Sequence, residues 1–121
     1  MIRAEIYSDG ERITGFSILG HSGTAPRAHD IYCAGVSALS QSAYLALVKH
    51  LGLNVGMVQA SGDFRVMLKG EPTDLTEAIF QVMLLGLIEI EKINPEALRT
   101  FYDGEPLITI EEPAADPEQS Q

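Results

Sequence analysis

The sequence of 121 residues contains little cysteine and little positive charge. With Cys33 as its single cysteine the chain cannot form an intrachain disulfide, so the fold must rest on packing. Lys and Arg number 8 against 17 Asp and Glu, giving a net charge of -9. Phosphate contacts need clustered cations, which argues against direct binding to nucleic acid. We therefore expect a cytoplasmic protein with a basic partner.

The sequence also lacks a long unbroken apolar run. Its most apolar stretch is interrupted by Gln81, Glu89 and Glu91 and falls short of the roughly 18 to 20 residues that a membrane span requires. The N-terminus has acidic residues and a turn where a secretory signal has an apolar core. One cysteine and three histidines lack zinc-site spacing, and no glycine-rich phosphate loop precedes a lysine. We expect no membrane span, no metal and no nucleotide, and hence no cofactor.

Alternation of apolar and polar residues predicts two hairpins. The first turns at Asp9-Gly10, a dipeptide that tight hairpin turns favour, and its return strand ends at Gly20. The second turns at residues 61–63. The sequence PLITIEE can add a short last strand.

Two helical patterns follow the hairpins. From Asp30 apolar residues recur every three or four positions, and the helix is expected to stop near Gly52. The second helix is predicted to open with Asp74 and Glu77 at capping-box spacing, and Pro95 limits it. Its middle is apolar on most faces, which implies cover by the first helix or by a second subunit. We expect a homodimer.

The order of these elements, strand-strand-helix twice, predicts an α+β fold for a single domain over residues 1–110. We expect a two-layer structure with a mixed or antiparallel sheet of four or more strands and two long helices on one face. Residues 111–121 are acidic and have almost no apolar anchor, which favours a disordered tail.

The polar segment before the first helix holds the residue types of a nucleophilic site. With Asp30 as N-cap, Cys33 falls in the first turn, where free N–H groups stabilise a thiolate, although the Asp30 charge opposes them. Those N–H groups are also suited to an oxyanion. His21 and His29 are both candidate bases. His50, at the end of the helix, is better suited to complement the helix C-terminus.

The same cysteine has a structural interpretation. A lone cysteine near the start of an apolar helix is more often packed in the core than catalytic. The alternative to an enzyme is a non-catalytic homodimeric module that binds a basic partner. A redox-sensing thiol is a third interpretation, but it lacks a resolving cysteine in the chain. The local pattern leaves these alternatives open.

The sequence GHSG followed by DIYCAGVSALSQSA resembles the ribosomal-processing cysteine protease family, Prp. The resemblance covers about residues 1–110. It implies a cytoplasmic, homodimeric endopeptidase that removes the N-terminal extension of a large-subunit ribosomal protein precursor. With this resemblance, the alternative becomes a non-catalytic homodimeric module that binds a basic ribosomal or assembly protein.

The resemblance also implies roles for individual residues. Cys33 would be the nucleophile and His21 its general base and acid. Gly20 would permit movement of the loop, and Asp30 and Ser37 would shape the site.

Overall fold

The computed structural model describes residues 1–21 and 30–108 as one sheet with two helices. His29, the rest of the loop over residues 22–29, and the predicted tail over residues 111–121 lie outside the described residues. The elements in chain order are β1 (Ile2–Ser8), β2 (Ile13–Leu19), α1 (Ile31–Leu45), a π-helical turn (Ala46–His50), β3 (Val55–Ala60), β4 (Asp63–Leu68), α2 (Asp74–Ile93), β5 (Leu98–Tyr102) and β6 (Glu105–Pro106).

The six strands form a mixed sheet in the order β3-β4-β2-β1-β5-β6. β1 pairs antiparallel with β2 and parallel with β5, while the other neighbours pair antiparallel. The predicted α+β fold with a mixed sheet is therefore confirmed. The terminal strand β1 lies inside the sheet, and β3 lies at its edge.

Both predicted hairpins are present, and local chemistry accounts for their turns. In the first, the Asp9 carboxylate accepts the backbone N–H groups of Glu11 and Arg12 at 2.9 and 2.8 Å, and Gly10 has a φ of 100°. In the second, Gly62 has a φ of 70°. Glycine adopts positive φ without the steric cost that a Cβ imposes, which fixes both turns.

The core lies between the helices and one face of the sheet. Alternate residues of β1 are buried, as its sequence pattern predicts, because successive side chains of a strand point to opposite faces. Phe16 contacts Phe64 and Phe80 edge to face, with ring centroids 5.8 and 6.1 Å apart. The fully or nearly fully buried core side chains include Ile2, Ala4, Ile6, Ile13, Phe16, Val36, Leu47, Val66, Phe80, Met83, Leu87 and Leu98.

Helix α1 begins after Asp30, as predicted, and continues as the π-helical turn until Gly52, which has a φ of 70°. The segment Ile31–His50 is long and apolar enough to cross a membrane by length and composition, with a mean hydropathy of 1.4. In this fold it packs on the sheet, with Val36 and Leu47 in the core.

Helix α2 is capped one residue earlier than predicted. Thr73 is the N-cap, and it forms the capping box with Thr76: each hydroxyl accepts the backbone N–H of the other residue. The prediction of an Asp74–Glu77 box was wrong because these carboxylates have other partners. Asp74 pairs with Arg12, and Glu77 accepts the first N–H of β2 at 2.8 Å.

Part of the apolar surface of α2 is covered by α1. The two helices approach closely at Gly86, where an added Cβ would lie 2.8 Å from Leu39. Other apolar side chains of α2 remain exposed in the described structure: Leu75, Val82, Leu85 and Ile93. The expected cover by the first helix is therefore present on one face of α2 only.

The strand β5 was not predicted from the sequence. It follows α2 directly and pairs with β1, while the short β6 contains only the first residue of PLITIEE. A buried carboxylate joins β5 to α2. The side chain of Glu91 is fully buried and accepts the Thr100 N–H at 2.9 Å, the Thr100 hydroxyl, and the Arg99 Nε at 2.8 Å.

Candidate active site

A cleft of about 200 Å³ opens between the N-terminal half of α1 and the end of the sheet where β2 stops and β3 turns into β4. Of the five residues to which the resemblance assigns roles, four line this cleft and Asp30 does not. The lining residues include Gly20, His21, Cys33, Ser37, Ser40, Gln41, Gln59, Gly62, Asp63 and Phe64.

Cys33 lies in the first turn of α1 and is partly buried. The buried Asp30 holds this turn in place, because its Oδ1 accepts the backbone N–H groups of Tyr32 and Cys33 at 3.1 and 3.0 Å. Its carbonyl also accepts the Ala34 N–H at 3.3 Å. The predicted cap is confirmed. These three N–H groups are already bonded, so the expectation that the turn offers them freely to an oxyanion is not met.

Gly20 ends β2 in a conformation that only glycine adopts easily. Its φ is 86°, and an added Cβ would lie 2.6 Å from the Met1 carbonyl oxygen. Its N–H donates to the Gly62 carbonyl at 2.8 Å, which ties the end of β2 to the β3–β4 turn. Gly20 therefore directs the chain so that His21 emerges at the cleft.

His21 is exposed, and its ring lies against the backbone of Gly62. The cleft thus brings His21 and Cys33 together from separate elements, one from the end of a strand and the other from the start of a helix. An imidazole and a thiol that share a cleft are the two groups that general-base activation of a nucleophile requires.

Ser37 lies one helical turn after Cys33, on the side of α1 that faces the cleft. It is exposed, unlike Ser40, whose buried hydroxyl donates to the Val36 carbonyl at 2.8 Å. Ser37 is therefore accessible from the cleft, whereas the Ser40 hydroxyl is bonded within its own helix.

The β3–β4 hairpin contributes residues to the cleft that the sequence did not single out. Gln59 and Asp63 flank its turn, and Gln41 lies opposite on α1. The Arg65 guanidinium donates to Asp63 at 2.8 and 3.1 Å, and this hydrogen bonding lowers the pKa of Asp63 and raises that of Arg65. The sequence identifies this region only as a turn, because nothing local indicates which strand end it meets.

Within residues 1–21 and 30–108, no group of three His, Cys, Asp or Glu side chains is arranged to hold a metal ion. The cleft offers a thiol, an imidazole, hydroxyl and amide groups, and the Asp63 carboxylate.

Comparisons with known proteins give the same family that the motif indicates. The family model described as cysteine protease Prp matches residues 1–99. Two similar solved structures are of the essential ribosomal processing protease Prp from S. aureus. One, with a covalently linked product peptide, has a TM-score of 0.78 and 28% identity, and the other, with a substrate peptide, has 0.74 and 27%. Each alignment covers 84% of this chain and 99% of the other.

The fold is also found in SMU.848 from Streptococcus mutans, with a TM-score of 0.68, 23% identity, and coverage of 84% of this chain and 93% of that one. No curated protein sequence matches significantly. Since the family model spans 99 of 121 residues, this chain belongs to the cysteine protease Prp family and is a cysteine protease.

Proposed function

We propose that this chain is an endopeptidase that removes the N-terminal extension of a large-subunit ribosomal protein, with Cys33 as nucleophile and His21 as general base and acid. The observation that carries the proposal is the single cleft lined by both side chains. The S. aureus relative, a ribosomal processing protease with a covalently linked product peptide, supports the same class of reaction here.

The reaction proceeds in two halves. His21 takes the proton of the Cys33 thiol, and the thiolate attacks the scissile carbonyl carbon to form a tetrahedral oxyanion. As the C–N bond breaks, the imidazolium gives its proton to the leaving amine, and a thioester remains. His21 then takes a proton from water, whose oxygen attacks the thioester carbon. Collapse releases the carboxylate product and returns the proton to the Cys33 sulfur.

The other site residues support this reaction. Asp30 fixes the first turn of α1 and with it the backbone of Cys33. Ser37 offers an accessible hydroxyl to the substrate backbone one turn further along the helix. Gly20 turns the chain at the end of β2 so that His21 reaches the cleft.

The substrate is an extended peptide from a basic protein. β3 is an edge strand of the described sheet, so one side of its backbone can pair with an added strand, and its last residues line the cleft. The net charge of -9 favours encounter with a cationic ribosomal protein. The same charge argues against direct binding to nucleic acid.

Incubation with the precursor of the ribosomal protein tests the proposal. Mass spectrometry should detect one N-terminal fragment and one trimmed protein. Cys33→Ala should abolish cleavage, and His21→Ala should reduce kcat by about 10²- to 10⁴-fold, the range expected for a general acid–base group. His50→Ala is the matched control, because His50 is also exposed but lies at the far end of the first helix. Trimming by Cys33→Ala would reject the mechanism.

Thiol reactivity separates this proposal from a non-catalytic binding module. An activated Cys33 should react with iodoacetamide at neutral pH faster than glutathione does, and His21→Ala should remove the difference. A thiol no faster than glutathione, together with an intact precursor, would favour the module.

We further propose a cytoplasmic homodimer. The exposed apolar side chains of α2 lie beside an apolar groove between the helices, lined by Leu39, Ala43, Ala46, Ile79, Val82 and Met83. Burial of this surface in a second copy would stabilise a dimer. Analytical ultracentrifugation should give twice the chain mass, Val82→Asp should give monomers, and Val82→Thr should remain dimeric. A monomeric unmodified protein would refute the dimer. Fractionation of cells tests the cytoplasmic location, and the protein should be found in the cytoplasmic fraction.

A further inference from the structure

The imidazole of His21 lies where a side chain of residue 62 would project. A Cβ added to Gly62 would be 3.1 Å from His21 Nε2, 3.6 Å from Cδ2 and 3.8 Å from Cε1. The first distance is tighter than about nine in ten real Cβ contacts, so a side chain at this position would require the imidazole to shift by a few tenths of an ångström. We propose that Gly62 is a positioning residue for His21, and that its missing side chain gives the imidazole a defined place at the wall of the cleft.

The backbone of the same turn also holds the residue before the histidine. The Gly62 carbonyl accepts the Gly20 N–H at 2.8 Å. The pairing of β2 with β4 extends to Leu19 and Asp63, immediately beside these two glycines. Gly62 therefore contacts the histidine segment twice, through a hydrogen bond to its backbone and through the surface on which the ring lies.

This arrangement matters because His21 is exposed. An exposed side chain ordinarily changes rotamer on the picosecond to nanosecond timescale, whereas a general base must stay within reach of the proton that it transfers. The missing Cβ of Gly62 leaves room for the ring beside the β3–β4 turn, and residue 62 adds no side chain that would compete for the ring nitrogens. The inference rests on the proposed role of His21 as base, and it adds a residue of the β3–β4 hairpin to the catalytic apparatus.

A second reason for glycine at position 62 must be separated from this one. Its φ of 70° is unfavourable for any residue with a Cβ, whatever lies nearby. Gly52 provides the matched control, because its φ is also 70° and an added Cβ would meet nothing within 4 Å. The two Gly→Ala variants therefore impose the same backbone conformation on alanine, and only the one at position 62 contacts the imidazole.

The experiment compares Gly62→Ala with Gly52→Ala by kinetics and by NMR of the histidine rings. Gly62→Ala should lower kcat for the precursor peptide by about threefold or more, with KM changed by less than about twofold. A displacement near 1 Å in a catalytic group can cost about 10²-fold, and the shift required here is a few tenths of an ångström. It should also shift the ring resonances of His21 and leave those of His50 unchanged. Gly52→Ala should keep both the kcat and the His21 resonances of the unmodified protein.

Equal kcat values and equal His21 resonances in the two alanine variants would overturn the proposal. If Gly62→Ala does not fold, Gly62→Asn and Gly52→Asn make the same comparison, because asparagine tolerates positive φ better and still carries a Cβ. The NMR comparison separates this inference from the proposed function. If His21→Ala keeps full activity, the catalytic role of His21 fails, whereas an unshifted His21 ring in Gly62→Ala refutes the contact itself.

Discussion

Replacing Glu91 by alanine removes a carboxylate that joins α2 to β5. The side chain is fully buried and accepts bonds from the Arg99 Nε, the Thr100 N–H and the Thr100 hydroxyl. Alanine leaves the Arg99 guanidinium, which is only 14% exposed, without its carboxylate partner. It also leaves the Thr100 donors facing an empty space that is too apolar to replace their acceptor.

The expected loss follows from this geometry. Removing one partner of a buried ion pair costs about 3–5 kcal/mol, because the remaining charge stays buried without its counter-charge. Arg99 keeps a hydrogen bond to the Ile108 carbonyl at 3.2 Å, which places the expected loss at the lower end of that range. Domains of this size are typically stable by about 5–15 kcal/mol, so the variant should lose a large fraction of its free energy of unfolding. For a domain near 100 residues, about 4 °C per kcal/mol converts this loss to a fall in Tm on the order of 10–20 °C.

Urea and thermal unfolding followed by circular dichroism measure this loss. Glu89→Ala is the matched control, because Glu89 lies two residues earlier on the same helix. Its side chain is 69% exposed, and its carboxylate pairs with the Lys92 ammonium at 3.2 Å. Its loss should stay within about 1 kcal/mol, as for other surface ion pairs. Glu91→Gln, which keeps the shape but not the charge, should fall between the two. Equal losses for Glu91→Ala and Glu89→Ala would refute the reasoning.

Three further changes test individual turns and caps. Gly20→Ala should destabilise the fold by at least the roughly 1–2 kcal/mol that a positive φ costs a residue with a Cβ, because this Cβ also meets the Met1 carbonyl. The variant should also cleave the peptide more slowly. Unfolding and kinetic curves that match those of the unmodified protein would contradict this. Asp30→Ala should cost about 0.5–2 kcal/mol in urea unfolding, and Asp30→Ser should recover most of it by capping α1 again, so equal losses for the two variants would argue against the cap. Asp9→Asn should be less stable than the unmodified protein at pH 7. The backbone N–H groups of Arg12 and Glu11 lower the Asp9 pKa from its ordinary value of 3.8. The charged carboxylate therefore stabilises the fold above pH 3.8, and this stabilisation is lost as the pH falls through the lowered pKa. Unfolding measured from pH 7 to pH 2 should therefore show the difference between the two proteins shrinking, and a constant difference would count against it.

The sequence predicted best the features whose causes are local. The N-cap of α1 and both hairpin turns depend on residues within four positions of one another, and Asp30, Gly10 and Gly62 occupy the places that their patterns indicate. The predicted position of the α2 cap was wrong by one residue, because two overlapping capping-box patterns occur there. Thr73 with Thr76 and Asp74 with Glu77 have the same spacing, and only the partners of the carboxylates decide between them.

Features that depend on distant residues were not predictable in the same way. β5 has only five residues, too few for a clear alternating pattern, and its partner β1 lies at the other end of the described chain. Glu91 looked like an interruption of an apolar run, whereas it is the buried acceptor for β5.

The residues of the candidate site show the same difference between local causes and contacts with distant residues. Cys33, His21 and Ser37 come from one sequence motif, and the cleft contains all three. Gly62 was recognised only as a turn residue, because positive φ is a sufficient local reason for glycine. Its second reason, the contact with His21, exists only after β4 has paired with β2.

The position of β1 inside the sheet has a consequence for the order in which the sheet forms during synthesis. β1 is the first of the described strands to be made, but its register with β5 pairs Ile2 with Leu98, a separation of 98 − 2 = 96 residues. The Ile2 N–H also donates to the Ala97 carbonyl at 2.8 Å, and Ile2 lines the cleft. The strand that carries Ile2 to the cleft is therefore paired on both sides only when nearly all of the described chain has been made. A nascent copy carries both His21 and Cys33 long before this strand is held from both sides.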